Sequence, residues 1–298
     1  YKHYLKGRFH WNKRTANDLQ KSVEYFERAI VVDPEFALAY SGMADAYVLF
    51  SGFGISSPNE SFPKAKQAAQ KALELDETLA EAHTTLSYAL FNYDWNFEES
   101  EKQIKRAVEL NPNYATAHHW NGNANLLAAG KFDEAIASVK RAHELDPLSL
   151  IISADLATAY LYAGRFDEAE EQYKKTIEMD GNFYYAHTYL GRTYLMKGEY
   201  QKALKEFQIA QTLARDPRIS MLRACTYSKM GERGETLRIL AKLNIEAKTK
   251  YISPYYFALI YANLGDTDKA FEWLEKAYRE REGRMTLIKV DALLENLR

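Results

Sequence analysis

The chain has 298 residues, of which 47% are hydrophobic and 27% charged, which is enough to bury a sizeable core. A formal net charge of -2 with both signs interspersed leaves no basic footprint for nucleic acid or an anionic membrane surface, so neither is expected as a partner. The single cysteine, Cys225, excludes an intrachain disulfide and any cysteine-based metal site, and no apolar run reaches the roughly 18 residues of a membrane span.

From the N-terminus onward the hydrophobic pattern is that of paired helices, renewed about every 34 residues. In the second helix of each pair, spacings of four and three keep three side chains on one face. The first such triplets are Ser22/Phe26/Ala29, Ala65/Ala69/Ala72, Ser100/Ile104/Ala107 and Ala135/Val139/Ala142. Ala169/Tyr173/Thr176, Ala203/Phe207/Ala210, Thr236/Leu240/Leu243 and Ala270/Leu274/Ala277 complete eight motifs. The expected units are 1–35, 36–78, 79–113, 114–148, 149–182, 183–216, 217–247 and 250–280 of one elongated domain, with a cap at 284–298. Pro34, Pro112 and Pro147 fall beyond second helices, and Gly130, Gly164, Gly198, Gly231 and Gly265 fall in the tight turns inside the pairs. Two of these turns, Asn12 to Asp18 and Gly52 to Ser61, read as longer loops, and Asn59-Glu60-Ser61 fits a glycosylation sequon. Near the end, Val290, Leu293, Leu294 and Leu297 make an i, i+3, i+4, i+7 stripe, which predicts a short helix capping the stack. Tyr1 opens at once into helix-compatible sequence, and the chain is expected to be a piece of a longer protein.

The strings Tyr189-Leu190-Gly191…Tyr194…Gly198…Ala203…Phe207…Ala210 and Leu156-Ala157…Tyr160…Gly164…Ala169…Tyr173 resemble the tetratricopeptide repeat (TPR). That resemblance implies an all-α, right-handed superhelical solenoid of about eight helix-turn-helix repeats. Further strings are Tyr4-Leu5-Lys6-Gly7-Arg8-Phe9-His10-Trp11-Asn12-Lys13-Arg14-Thr15, Tyr93-Asp94-Trp95-Asn96, Ser253-Pro254-Tyr255 and Phe271-Glu272-Trp273-Leu274-Glu275-Lys276-Ala277-Tyr278. These are similar to the C-terminal TPR regions of bacterial multidomain signalling proteins, where the repeats follow a winged-helix domain, a Ser/Thr kinase or a nucleotide cyclase. The implied job is to hold a protein or peptide partner without catalysis, or to serve as a spacer or self-association scaffold in a homo-oligomer.

Chemistry beyond binding finds little support in the residues. His3, His83, His118 and His187 repeat one slot of successive units, so they are expected to pack between helices, and no metal site is expected. Neither a phosphate-cradling glycine loop nor a nucleophile motif is present, and no cofactor is expected. The carboxylates of Asp133, Glu134, Asp167 and Glu168 open second helices, where they favour the positive end of the helix dipole. A stripe on the first helices remains for recognition in the concave groove: Asp45, Tyr88, His119, Trp120, Asn123, Asp155, Tyr162, Tyr185, Tyr189 and Arg192. Aromatic anchors alternate there with hydrogen-bonding groups, as on recognition surfaces generally. The Lys/Asn clamp by which chaperone-binding TPR proteins hold a peptide carboxylate is missing, and Asp45 and Asp155 are expected to repel such a group.

Overall fold

The computed structural model describes residues 1–298, which form sixteen α-helices and no strand. They stack as eight antiparallel pairs: α1 (Lys2–Asn12) with α2 (Ala16–Val32), α3 (Ala37–Tyr47) with α4 (Pro58–Leu75), α5 (Ala80–Ala89) with α6 (Phe97–Leu110), and α7 (Ala115–Trp120) with α8 (Phe132–Leu145). The series continues with α9 (Leu150–Tyr162) and α10 (Phe166–Met179), α11 (Tyr184–Met196) and α12 (Tyr200–Leu213), α13 (Pro217–Lys229) and α14 (Arg233–Glu246), and α15 (Pro254–Asn263) and α16 (Thr267–Arg279).

All of the second-helix triplets are buried against the first helices on either side, and six of the eight set one large side chain between two small ones. The fit is close where the first helix carries glycine. A Cβ on Gly7 would lie 2.5 Å from the Phe26 ring and one on Gly42 2.6 Å from it, so that ring is clamped between two helices. Gly191 takes Phe207 in the same way. Burying such a ring contributes about 1.5–3 kcal/mol, and a methyl group at the glycine would forfeit the fit. The intra-pair turns at Gly130, Gly164, Gly198, Gly231 and Gly265 all have φ between 74° and 81°, a region open to glycine at little cost.

The histidine slot is structural. His83, His118 and His187 each place Nε2 2.9–3.1 Å from the carbonyl oxygen six residues earlier, on Glu77, Pro112 and Gly181. Each ring thereby ties its helix to the preceding connection. His83 and His187 direct Nδ1 at Gln103 and Glu206 on the paired helix.

Three expectations need correction. The first long loop does not exist: α2 begins at Ala16, capped by Thr15, so the turn is only Lys13 to Thr15, as short as Ala163 to Arg165. The second is real but displaced toward the N-terminus. It spans 48–57 and contains a 3-10 turn, Ser51–Phe53, while Ser57 and Glu60 form a capping box that starts α4 and absorbs the sequon into its first turn. At the C-terminus the cap is not an α-helix but two 3-10 turns, Gly283–Leu287 and Ala292–Leu297. Leu293 and Leu294 are buried as the stripe requires, yet the segment lies along α15, on the inner side of the coil, instead of covering α16.

Candidate functional site

The coil turns far enough for its second and third pairs to reach its seventh and eighth. The connection after α3 reaches α13, where Arg218 Nη2 donates to the Gly52 carbonyl at 3.4 Å and the guanidinium faces the Phe53 ring. Farther along, Trp95 stacks on Tyr278 at 5.0 Å between ring centres, and the Arg281 guanidinium lies over the Trp95 ring. The C-terminal segment then occupies the groove. Asp291 accepts from Arg192 Nη2 at 2.7 Å and Tyr255 Oη at 3.3 Å, and Gly283 sits against Asn92.

These contacts leave a cavity of about 200 Å³ on the inner side of the coil. Of the residues expected to form the groove, Tyr88, His119, Trp120, Asn123, Asp155, Tyr162, Tyr185 and Tyr189 line it. Asp45 and Arg192 do not. Asp45 is buried in an ion pair with Arg8 at 2.7 Å and also accepts from Thr85, so its charge is spent on joining α1, α3 and α5. Arg192 is consumed by Asp291 and by the Tyr162 hydroxyl, to which Nη1 donates at 2.9 Å.

Asp155 is the hub of the polar wall. One oxygen lies 2.7 Å from His119 Nε2, and the other accepts from Tyr185 Oη at 2.9 Å. Thr158 links the cluster to the buried Tyr173 hydroxyl at 2.7 Å. The aromatic wall is formed by Trp120 against Tyr88, with ring centres 4.7 Å apart, and by Tyr185 against Tyr189 at 4.5 Å. Burial raises the Tyr189 phenol, but Arg284, Arg218 and Arg192 outweigh it and hold the group below its ordinary value. A field that stabilises phenolate is a field that favours an anion.

Two features of the site were not found from sequence. Helices α5 and α7 each end in a π-helical stretch, Leu90–Asp94 and Asn121–Leu126, which brings Asn92 and Asn123 to the cavity. Such widened turns cost hydrogen-bond geometry and recur at functional sites. The other feature is Arg14. It occupies the turn slot that is glycine in the last five pairs and adopts φ 54°, a conformation that costs a residue with a Cβ about 1–2 kcal/mol. Only 4% of its surface is exposed, and its guanidinium stacks on Trp11 at 3.5 Å and lines the cavity. An arginine in a glycine slot was a legible signal, hidden by reading Asn12 to Asp18 as a long loop.

Cys225 is fully buried and its thiol is pushed up to about 12 by burial, so it is inert as a nucleophile.

Comparison with known proteins agrees with this architecture. Tetratricopeptide repeat models match residues 96–149, 154–218 and 256–283. These segments are tetratricopeptide repeats, a fold that supports protein interaction generally. Among solved structures it is similar to human IFIT1, described as a dimer with PPP-AAAA, with a TM-score of 0.63 at 18% identity over 89% of this chain and 69% of that one. Yeast Tom70 gives a TM-score of 0.58 at 16% identity, covering 99% of this chain and 64% of that one. At these identities the likeness concerns the fold alone. Transcriptional regulator HilA of Salmonella typhimurium is 29% identical over 79 residues, 26% of this chain, and the match spans only 14% of that protein.

Proposed function

We propose that this chain is the non-catalytic recognition module of a larger signalling protein and that it holds the end of a partner segment, or a small ligand, in the cavity on its inner face. The observation that carries this reading is the cavity itself. A regular solenoid presents an extended concave groove, whereas here loop 48–57, two π-helical stretches and the C-terminal segment frame about 200 Å³ lined by tyrosines, Trp120 and Asn123. That volume suits a few heavy groups and not a peptide running through, which supports recognition of a terminus or a compact ligand. In the family the resemblance names, such a module would report to an effector elsewhere in the protein.

A peptide array followed by calorimetric titration tests the reading. Saturable binding by the wild-type chain is expected to weaken at least tenfold in the double variant Asn123→Ala, Tyr162→Phe. Binding that survives unchanged would remove the cavity from the proposal.

End-to-end association is favoured by a separate observation. Leu5 and Phe9 on α1 and Phe271 on α16 are 51%, 60% and 50% exposed, so both ends of the stack carry apolar side chains. Sedimentation that stays monomeric at high protein concentration would count against it.

A further inference from the structure

Arg14 and Arg284 face the same cavity from opposite ends of the sequence, one in the first turn and one in the C-terminal segment. Both act electrostatically on the Tyr88 phenol, which lines the same cavity. Neither guanidinium is in an ion pair with a carboxylate, unlike Arg8, Arg192 and Arg218, which are matched to Asp45, Asp291 and Asp216. We propose that Arg14 and Arg284 form a binding site for a small organic anion with a planar body, its carboxylate or phosphate held by the two guanidinium groups and its ring laid against Tyr88 and Trp120. The inference deepens the proposed function at the same cavity and rests on that reading only for where the ligand sits.

Arg14 carries most of the weight. A guanidinium has five N–H donors in its plane, and stacking on Trp11 satisfies none of them. Its Nε is buried without a hydrogen-bond partner. Burial, then repulsion from Arg8, brings the group down to about 10, so the fold makes this charge less comfortable than water would. A strained backbone, an unsatisfied donor and a disfavoured charge coincide on one side chain. Leaving glycine in that slot would have avoided all three costs, and strain of this kind collects at ligand-binding positions.

The two acidic groups of the lining are already engaged. Asp155 is held by His119, Tyr185 and Thr158, and Glu282 accepts from Tyr251 Oη at 2.9 Å. Of the two carboxylates expected from sequence to repel an anion, Asp45 is paired with Arg8 outside the cavity, while Asp155 lines it with its oxygens turned to His119, Tyr185 and Thr158. The aromatic wall supplies the flat contact that a benzoate-sized body needs, and a Trp120 that lines the site makes its occupation visible by fluorescence.

Titrating the full chain with benzoate and phenyl phosphate, with benzamide as the neutral isostere, tests the site. Saturable binding of at least one anion, with benzamide at least tenfold weaker, is expected. Arg14→Met and Arg284→Met should each weaken the anion tenfold or more, while Arg14→Lys retains part of it, and the melting temperature of Arg14→Met should stay level or rise. Wild-type protein that does not prefer anions over benzamide, or Arg14→Met that binds within twofold of wild type, would overturn the inference. Should Arg14→Met not fold, Arg284→Met alone decides by the same criterion. Peptides with free and amidated C-termini separate this inference from the broader reading. Equal binding of both peptides, indifferent to Arg14→Met, sinks the anion site and leaves partner recognition standing; benzoate binding lost in Arg14→Met, without peptide binding, does the reverse.

Discussion

From Ala154 to Leu294 the buried apolar side chains form one continuous cluster of 35 residues, whereas the first four pairs divide theirs among separate clusters of 10, 4, 3 and 3, with one of six at the junction. The repeat is the same in both halves; what differs is the inner face. In the C-terminal half, α11 and α15 bury nearly every residue and the C-terminal segment packs along them. In the N-terminal half the inner face keeps Trp11, Arg14, Tyr88, Asn92, Trp120 and Asn123, two of its helices widen into π turns, and one connection lengthens to ten residues. The comparison teaches that one half was packed for cohesion and the other left irregular, with the cavity lined from both.

The largest expected effect lies where the halves are joined. Asp291→Ala leaves Arg192 buried without its partner and should cost about 3–5 kcal/mol. It should also free the C-terminal segment, so hydrogen exchange is expected to speed up along 281–298 and in the Leu90–Asp94 turn that Gly283–Leu287 contacts. Loss of protection in the segment alone would mean that the tail does not bridge the halves.

Next come matched core deletions. Leu222→Ala and Ile104→Ala should each cost about 2–5 kcal/mol, being fully buried, but the loosening should spread differently. In the continuous cluster, protection should fall from α11 to α15 together; around Ile104 it should fall only in α5 to α7. Equal spread would break the comparison. Much of this was legible beforehand, because the triplets, the glycine turns and the histidine slot depend on neighbours one repeat away. Tyr173, Phe207 and Leu243 were placed in the core by spacing alone, and the structure buries them completely.

The smallest effect is a pH dependence in the histidine slot. The hydrogen bond that His187 donates to the Glu206 carboxylate raises it above 6.5, burial opposing it. A raised value in the folded state means stabilisation present below about pH 6.5 and lost as pH rises through the folded value. The melting temperature should therefore decline from pH 6 toward 8, and His187→Gln should flatten that slope. His3→Gln is the control from the other half, since His3 Nδ1 has no hydrogen-bond partner and faces no carboxylate. Identical slopes in all three proteins would show that the pairing with Glu206 does not matter.

The sequence by itself determined the repeat, its eight-fold count, the buried face of every second helix and the direction in which Tyr88, Trp120, Asp155 and Tyr189 project. Each of these is a local property: spacing on a helix, a positive φ, or a contact with the adjoining pair. Only the tertiary structure decided that Asp45 and Arg192 are spent on ion pairs, that the cap lies along the inner side, and that Arg14, Arg218 and Arg284 meet at one cavity. Gly52 and Arg218 touch across 166 positions because small rotations accumulate from pair to pair until the coil closes. No single window of sequence contains that sum.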